Sequence, residues 1–111
     1  MKNSVEKRQL TLRLVNHYCD LLEIKDRPDL IFYKKDILQL PREERGNITY
    51  KRLCGCYYID SNVIYVNLSN HKTRKQLIDT VIHELVHKVS ECTLPHGVMF
   101  DNMVKLISSL D

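Results

Sequence analysis

The chain has 111 residues, a formal net charge of +3 and 43% hydrophobic residues. This size fits one compact domain, residues 1–111, with a single modest core. No apolar run approaches the ~20 residues that a membrane span requires, and the polar first residues lack the apolar stretch of a signal peptide. We therefore expect a soluble, cytoplasmic protein with reduced cysteines and no membrane partner. The small charge, spread over mixed surface clusters, supports a nucleic-acid partner only weakly.

The first half of the chain predicts a helix, a strand and a loop. Asn3 followed by Glu6 has the pattern of a capping box, and apolar residues recur at helical spacing behind it, so residues 4–25 should form an amphipathic helix. A proline-containing stretch, residues 27–29, should end this helix. Residues 30–33 are an apolar run rich in strand formers, and residues 36–50 have the polar composition of a loop.

The second half predicts two strands followed by two helices. Residues 52–59 and 63–68 read as strands joined by a short polar turn. A broad apolar stripe at helical spacing predicts a long helix over residues 73–91. A last helix should open at His96-Gly97. The order of helix, three strands, helix and helix predicts an α+β fold with a small three-stranded sheet.

The long predicted helix carries the motif His83-Glu84-x-x-His87. Because a helix turns by about 100° per residue, His83 and His87 lie about 40° apart around the axis and about 6 Å apart along it. Two imidazoles at this spacing can reach one zinc ion, whose Zn–N bonds are about 2.0–2.1 Å. Glu84 points past the ion, where its carboxylate can act as a base toward water. The spacing therefore predicts two metal ligands and one general base.

A catalytic zinc site normally has three protein ligands, and His96 is the best third candidate. It follows a proline and precedes Gly97, which permits the tight turn that brings the chain back toward the metal. Glu91 competes, but it lies about 12 Å from His83 along the helix axis, too far for one ion. Asp79 and Asp101 are candidates for orienting an imidazole N–H. For both acids we expect an ordinary surface position.

The second half of the chain resembles the catalytic core of the SprT-like zinc metallopeptidases, which have a zincin-like fold. That family has the pattern T-x-x-H-E-x-x-H on one helix, followed by H-G-x-x-[FW] at the start of the next helix. The second pattern is the more discriminating. The residues that match the two patterns are Thr80, His83, Glu84, His87, His96, Gly97 and Phe100.

The resemblance implies a minimal single-domain metallopeptidase that acts on a protein or peptide substrate. It implies Zn²⁺ as cofactor, His83, His87 and His96 as its ligands, and Glu84 as the general base. It further implies that the strand near residues 63–68 borders the cleft and pairs with extended substrate. Several relatives act on proteins held on DNA. A zinc hydrolase of other specificity and a non-enzymatic module stapled by zinc are the alternatives.

Several residues fall outside these patterns. Lys88 stands at a position that is usually uncharged in zinc-peptidase helices. His17 and His71 have the sequence context of exposed residues. The four cysteines are Cys19, Cys54, Cys56 and Cys92. They include only one closely spaced pair, where a cysteine metal site would need two, so we expect small buried thiols.

Overall fold

A computed structural model of the chain describes residues 3–45 and 53–110. Within these ranges, five α-helices and one three-stranded sheet form an α+β fold. The sequence predicts this fold class and the three strands, but only three of the helices. A short 3₁₀ helix, Leu68–Asn70, follows the last strand. The main elements, in chain order, are α1 (Ser4–Leu21), β1 (Asp29–Ile31), α2 (Lys34–Ile37), α3 (Arg42–Arg45), β2 (Gly55–Tyr58), β3 (Val63–Val66), α4 (Arg74–Val89) and α5 (Val98–Ser108).

Helix α1 begins as predicted and ends earlier. The side chain of Asn3 accepts a hydrogen bond from the backbone N–H of Glu6 at 2.9 Å, which confirms the N-cap. The helix stops at Leu21, not near residue 25, because Glu23 adopts a left-handed conformation with φ 55° that turns the chain away.

The region predicted to be a polar loop contains two short helices, α2 and α3. The prediction of a loop over residues 36–50 is wrong where the structure describes it, because the fully buried Ile37 anchors α2 to the sheet. Residues 46–50 lie outside the described part. The first strand is also shorter than predicted, since Tyr33 is the N-cap residue of α2.

The sheet has the strand order β1-β3-β2, with β1 parallel and β2 antiparallel to β3. The central strand, β3, is paired on both sides and all four of its residues are buried. It therefore cannot offer a free edge to a substrate, which corrects the expectation that residues 63–68 border the cleft. Strand β2 is the edge strand beside the candidate site. The predicted start of this strand at residue 52 lies outside the described residues.

Helix α4 packs against β2, and α1 and α5 pack against α4. Together with β3 these helices enclose the main core. Its fully buried side chains come from both layers, for example Ile64, Val66, Leu77, Val81 and Leu85. A smaller cluster of Ile37, Tyr58 and Tyr65 covers the opposite face. In residues 3–45 and 53–110, none of the helices has the length and apolar character needed to cross a membrane.

Candidate metal centre

Helix α4 places two of the predicted ligands and the predicted base. It begins with a capping box, in which Thr73 and Gln76 each accept a hydrogen bond from the other's backbone N–H. Its apolar stripe is buried in the core, while His83 and His87 are half-buried at the edge of that stripe. Glu84 points inward and is only 4% exposed. Helix α4 thus presents two half-buried imidazoles on one side and a buried carboxylate on its inner side.

The turn after α4 brings the third histidine back to the helix. Glu91 and Cys92 both adopt left-handed conformations, with φ of 52° and 57°. The backbone N–H of Cys92 donates to the carbonyl of His87 at 2.8 Å, which closes the end of the helix. Gly97, with φ 156°, then starts α5 in a conformation that L side chains rarely adopt. Eight intervening residues are therefore enough to return His96 to His87.

The three imidazoles converge, as predicted. The Nε2 atoms of His87 and His96 lie 3.0 Å apart, and one ring nitrogen from each of the three histidines lies within 4.8 Å of the others. Each pair of ring centroids is 4.8 to 4.9 Å apart. The Phe100 ring lies 4.7 to 4.9 Å from all three rings and is 1% exposed, so it forms an apolar floor beneath them.

The protonation state of this cluster suits a metal cation. Burial, followed by the charges of His87 and His96, lowers the pKa of His83 to about 4. Burial and then His96 lower the pKa of His87 as well. Neutral imidazoles are the form that binds metal. Two ligands of a tetrahedral zinc ion lie roughly 3.3 Å apart, close to the observed spacing of His87 and His96. The three histidines could therefore hold a metal ion.

Glu84 is held beside the three histidines by strand β2. Its carboxylate accepts a hydrogen bond from the backbone N–H of Tyr57. Burial raises the pKa of Glu84 to about 8, and the hydrogen bond from Tyr57 acts in the opposite direction. Gly55, two residues earlier in β2, lies so close that an added Cβ would be 3.2 Å from Oε2 of Glu84. The carboxylate is thus desolvated, and it lines the same cavity as the three histidines.

A cavity of about 530 Å³ opens over these groups. One wall is the edge strand β2 together with Leu53, two residues before it, and the other is the connection between α4 and α5. The cavity gives solvent and ligands access to the site. Its lining consists of Leu53, Gly55, Cys56, Tyr57, His83, Glu84, His87, Cys92, Leu94, Pro95 and His96.

The competing acidic residues remain outside the ligand group. Glu91 is exposed at the turn after α4, and among residues 3–45 and 53–110 only the three histidines form this group. Asp79 and Asp101 are also exposed. Neither donates or accepts a hydrogen bond with a ligand imidazole in the described structure. The charge of Asp101 raises the pKa of His83, and this is the smallest of the four effects on that pKa. Their predicted surface positions are confirmed.

His71 is buried, with 1% of its surface exposed, contrary to its predicted exposed position. It is the C-cap residue of the 3₁₀ helix that precedes α4. Its Nδ1 lies 2.6 Å from the carbonyl oxygen of Asn67, and its Nε2 lies 2.6 Å from Oγ1 of Thr80. Since a carbonyl only accepts, Nδ1 carries the proton and Thr80 donates to Nε2. His71 therefore fixes the helix one turn before His83.

The cysteines also differ from the prediction of four buried thiols. Cys19 is fully buried, while Cys54 and Cys92 are exposed. Cys56 is half-buried, and burial raises the pKa of its thiol to about 11, so the thiol is protonated at neutral pH. The placement of Cys56 and Cys92 in the cavity wall was missed, because neither forms a spacing motif with the histidines.

Comparisons with known proteins identify no relative. No protein-family model, no curated protein and no solved structure matches the chain.

Proposed function

We propose that the protein is a zinc-dependent peptidase of the SprT-like, zincin-like type. The observation that carries the proposal is the convergence of three imidazoles beside a buried carboxylate, with an open cavity above them. His83, His87 and His96 would hold the ion. Three nitrogen ligands with a free fourth position are typical of catalytic zinc, whereas structural zinc sites have four protein ligands. The choice of zinc rests on this donor set.

A zinc ion bound here would supply Lewis acidity and lower the pKa of water near it to about 7. Glu84 is the chain's own proton carrier. Its carboxylate accepts a proton from the attacking water and passes it to the departing amine. The raised pKa of Glu84, about 8 without metal, shows how strongly burial disfavours its charge. A nearby cation would offset this and favour the carboxylate form that a base requires.

The edge strand β2 supports a peptide as the substrate. It has only one strand neighbour in the described sheet, β3, and it forms a wall of the cavity. An extended peptide could lie along its outer side and present a carbonyl to the three histidines. The apolar side chains at the opposite wall, Leu94 and Pro95, would contact the substrate's side chains.

A zinc-stapled binding module is the main alternative. Such a module gains nothing from a buried carboxylate next to the ligands, because leaving Glu84 desolvated costs free energy. A hydrolase acting on another amide would share the whole site, and only a substrate survey separates it from a peptidase. A role on DNA-associated proteins remains a further proposal, which adding single- or double-stranded DNA to the assay would test.

The decisive experiment compares Glu84→Gln with wild type. We expect the zinc-loaded variant to retain about one zinc per chain by elemental analysis and to lose cleavage of casein or of a quenched peptide library. Glu91→Gln is the matched control, since Glu91 is an exposed acid at the end of the same helix. Cleavage by Glu84→Gln at the wild-type rate would refute the assigned base. Absence of cleavage by the zinc-loaded wild type would refute the peptidase.

A further inference from the structure

Lys88 is the feature of α4 that the metal site does not explain. It directly follows the ligand His87, yet its side chain is only 12% exposed. Its one acidic neighbour, Asp26, is 89% exposed and lies 3.8 Å away, a distance at which an ion pair contributes little. Withdrawing an ammonium group from water costs several kcal/mol unless other partners compensate. The burial of Lys88 must therefore be compensated by partners other than Asp26.

The principal partner of Lys88 is a single oxygen atom of Asn62, in the turn between β2 and β3. The Nζ of Lys88 donates to Oδ1 of Asn62 at 2.8 Å, and the hydroxyl of Tyr57 donates to the same atom, also at 2.8 Å. The Lys88 ammonium also lies 5.8 Å from the centre of the Tyr57 ring. Two donors from α4 and β2 thus meet on one acceptor.

Asn62 is itself firmly placed. Its φ of 53° is left-handed, a conformation that asparagine tolerates better than most residues. Its side-chain amide donates toward the backbone carbonyls of Asp26 and Arg27 at 3.3 and 3.4 Å. Its backbone carbonyl accepts from the N–H of Asp29 at 3.0 Å, at the start of β1. The shared oxygen is therefore fixed to the segment that enters the sheet.

Tyr57 connects this network to the candidate base. Its hydroxyl is held by Asn62. Tyr57 and Glu84 line the same cavity, and the backbone N–H of Tyr57 faces the Glu84 carboxylate as a potential donor. Tyr57 lies on the edge strand, which has one strand neighbour in the described sheet. If side-chain contacts did not tie it to α4, such a strand could move away from the helix.

We propose that Lys88 and Asn62 are positioning residues for Glu84. They fix the ring of Tyr57, and they thereby hold its backbone N–H against the carboxylate. The consequence for catalysis rests on the proposed peptidase function, whereas the consequence for the hydrogen bond does not. The two can therefore be tested separately.

The structural test measures amide hydrogen exchange by NMR. Lys88→Met removes the ammonium and keeps an apolar stem, and Asn62→Gly removes the shared oxygen while it tolerates the left-handed backbone. We expect the amide of Tyr57 to exchange about tenfold faster in both variants, and the amide of Leu85, in the middle of α4, to be unchanged. Lys75→Met, an exposed lysine on the same helix, is the matched control.

The kinetic test uses the zinc-loaded protein. We expect Lys88→Met to lower kcat about tenfold, the scale typical of residues that orient a catalytic group, with unchanged zinc content and KM. Lys88→Arg should restore most of kcat because it retains a donor. A merely structural lysine would not produce this division between kcat and KM.

Each outcome decides one part of the proposal. Unchanged exchange at Tyr57 in both variants would overturn it. Faster exchange at Tyr57 with unchanged kcat would overturn the link to Glu84. If Lys88→Met fails to fold, Asn62→Gly takes its place as the disruptive variant, and Lys88→Arg remains the conservative control. If the wild type cleaves no peptide, the proposed function fails, and the exchange result still decides whether the network holds Tyr57.

Discussion

Gly55 of β2 leaves no room for a side chain between its backbone and Glu84 of α4. A Cβ atom on Gly55 would lie 3.2 Å from Oε2 of Glu84, 3.0 Å from the backbone oxygen of Tyr65 and 2.8 Å from Cγ2 of Thr80. Only a residue without a side chain lets the edge strand lie this close to the helix. The same edge strand brings the backbone N–H of Tyr57 toward the carboxylate of Glu84.

Gly55→Ala should therefore destabilise the protein. The backbone oxygen of Tyr65 cannot move without breaking the sheet, so the strand must shift away from α4. We expect a loss of about 1–3 kcal/mol in the free energy of unfolding, the usual cost of overpacking, measured by urea denaturation. Ser69→Ala, an exposed substitution in the 3₁₀ helix, is the control. Wild-type stability of Gly55→Ala would show that the strand and helix are not held so closely.

Zinc should stabilise the folded chain through the three histidines. At a free zinc concentration of 100 times Kd, binding to the native state alone adds about 2.7 kcal/mol to the free energy of unfolding. We expect a matching rise in Tm for the wild type and none for His96→Ala. Glu91→Ala should respond as the wild type does. If Glu91→Ala loses the response and His96→Ala keeps it, the third ligand has been assigned to the wrong residue.

The ligands could be found from the sequence because helical periodicity fixes their geometry. His83 and His87 share a face of any helix that contains them, and Glu84 must lie to one side. The apolar stripe predicted the face of α4 that is buried. His96 was found for a different reason, since a proline and a glycine on either side indicate a turn. These signals are local, and the geometry that they fix does not depend on how the rest of the chain folds.

What the sequence did not reveal depends on long-range packing. The left-handed residues that end α1 and α4 are Glu23 and Glu91, where glycine is the usual signal. The pairing of β1 with β3, which makes β2 the edge, joins strands that are far apart in the chain. The hydrogen bond from Lys88 to Asn62 joins α4 to the turn between β2 and β3, and the sequence does not indicate this pairing. Such long-range relationships produce no periodic pattern in the sequence.

The stability of the zinc-free protein should decrease as the solution becomes acidic, in part through His71. Burial lowers the pKa of His71, Lys7 lowers it further, and the hydrogen bond to Asn67 partly opposes this. The folded state therefore binds the proton less tightly than the unfolded state. Its contribution is fully present above the unfolded pKa of about 6.5 and is lost as the pH falls toward the lower folded pKa, with a slope of at most about 1.36 kcal/mol per pH unit.

Comparison with His71→Gln isolates this effect, because the other histidines titrate in both proteins. Urea unfolding between pH 8 and pH 5 in the presence of a chelator should show a steeper loss for the wild type. The variant should be less stable at pH 8, since it loses the paired hydrogen bonds to Asn67 and Thr80. Parallel curves for the two proteins would mean that His71 does not titrate differently on folding.

Phe100 should control zinc affinity without contacting the ion. Its ring supports all three ligand imidazoles at 4.7 to 4.9 Å between centroids. Phe100→Leu keeps an apolar side chain of similar volume but removes the flat surface on which the rings rest. We expect a stability loss below about 1.5 kcal/mol and zinc binding about tenfold weaker by competition with a chromophoric chelator. Ile107→Val, a buried substitution on the same helix, should cost about 0.5–1.5 kcal/mol and leave zinc affinity unchanged. Equal zinc affinity in both variants would show that the three rings are oriented without the aromatic floor.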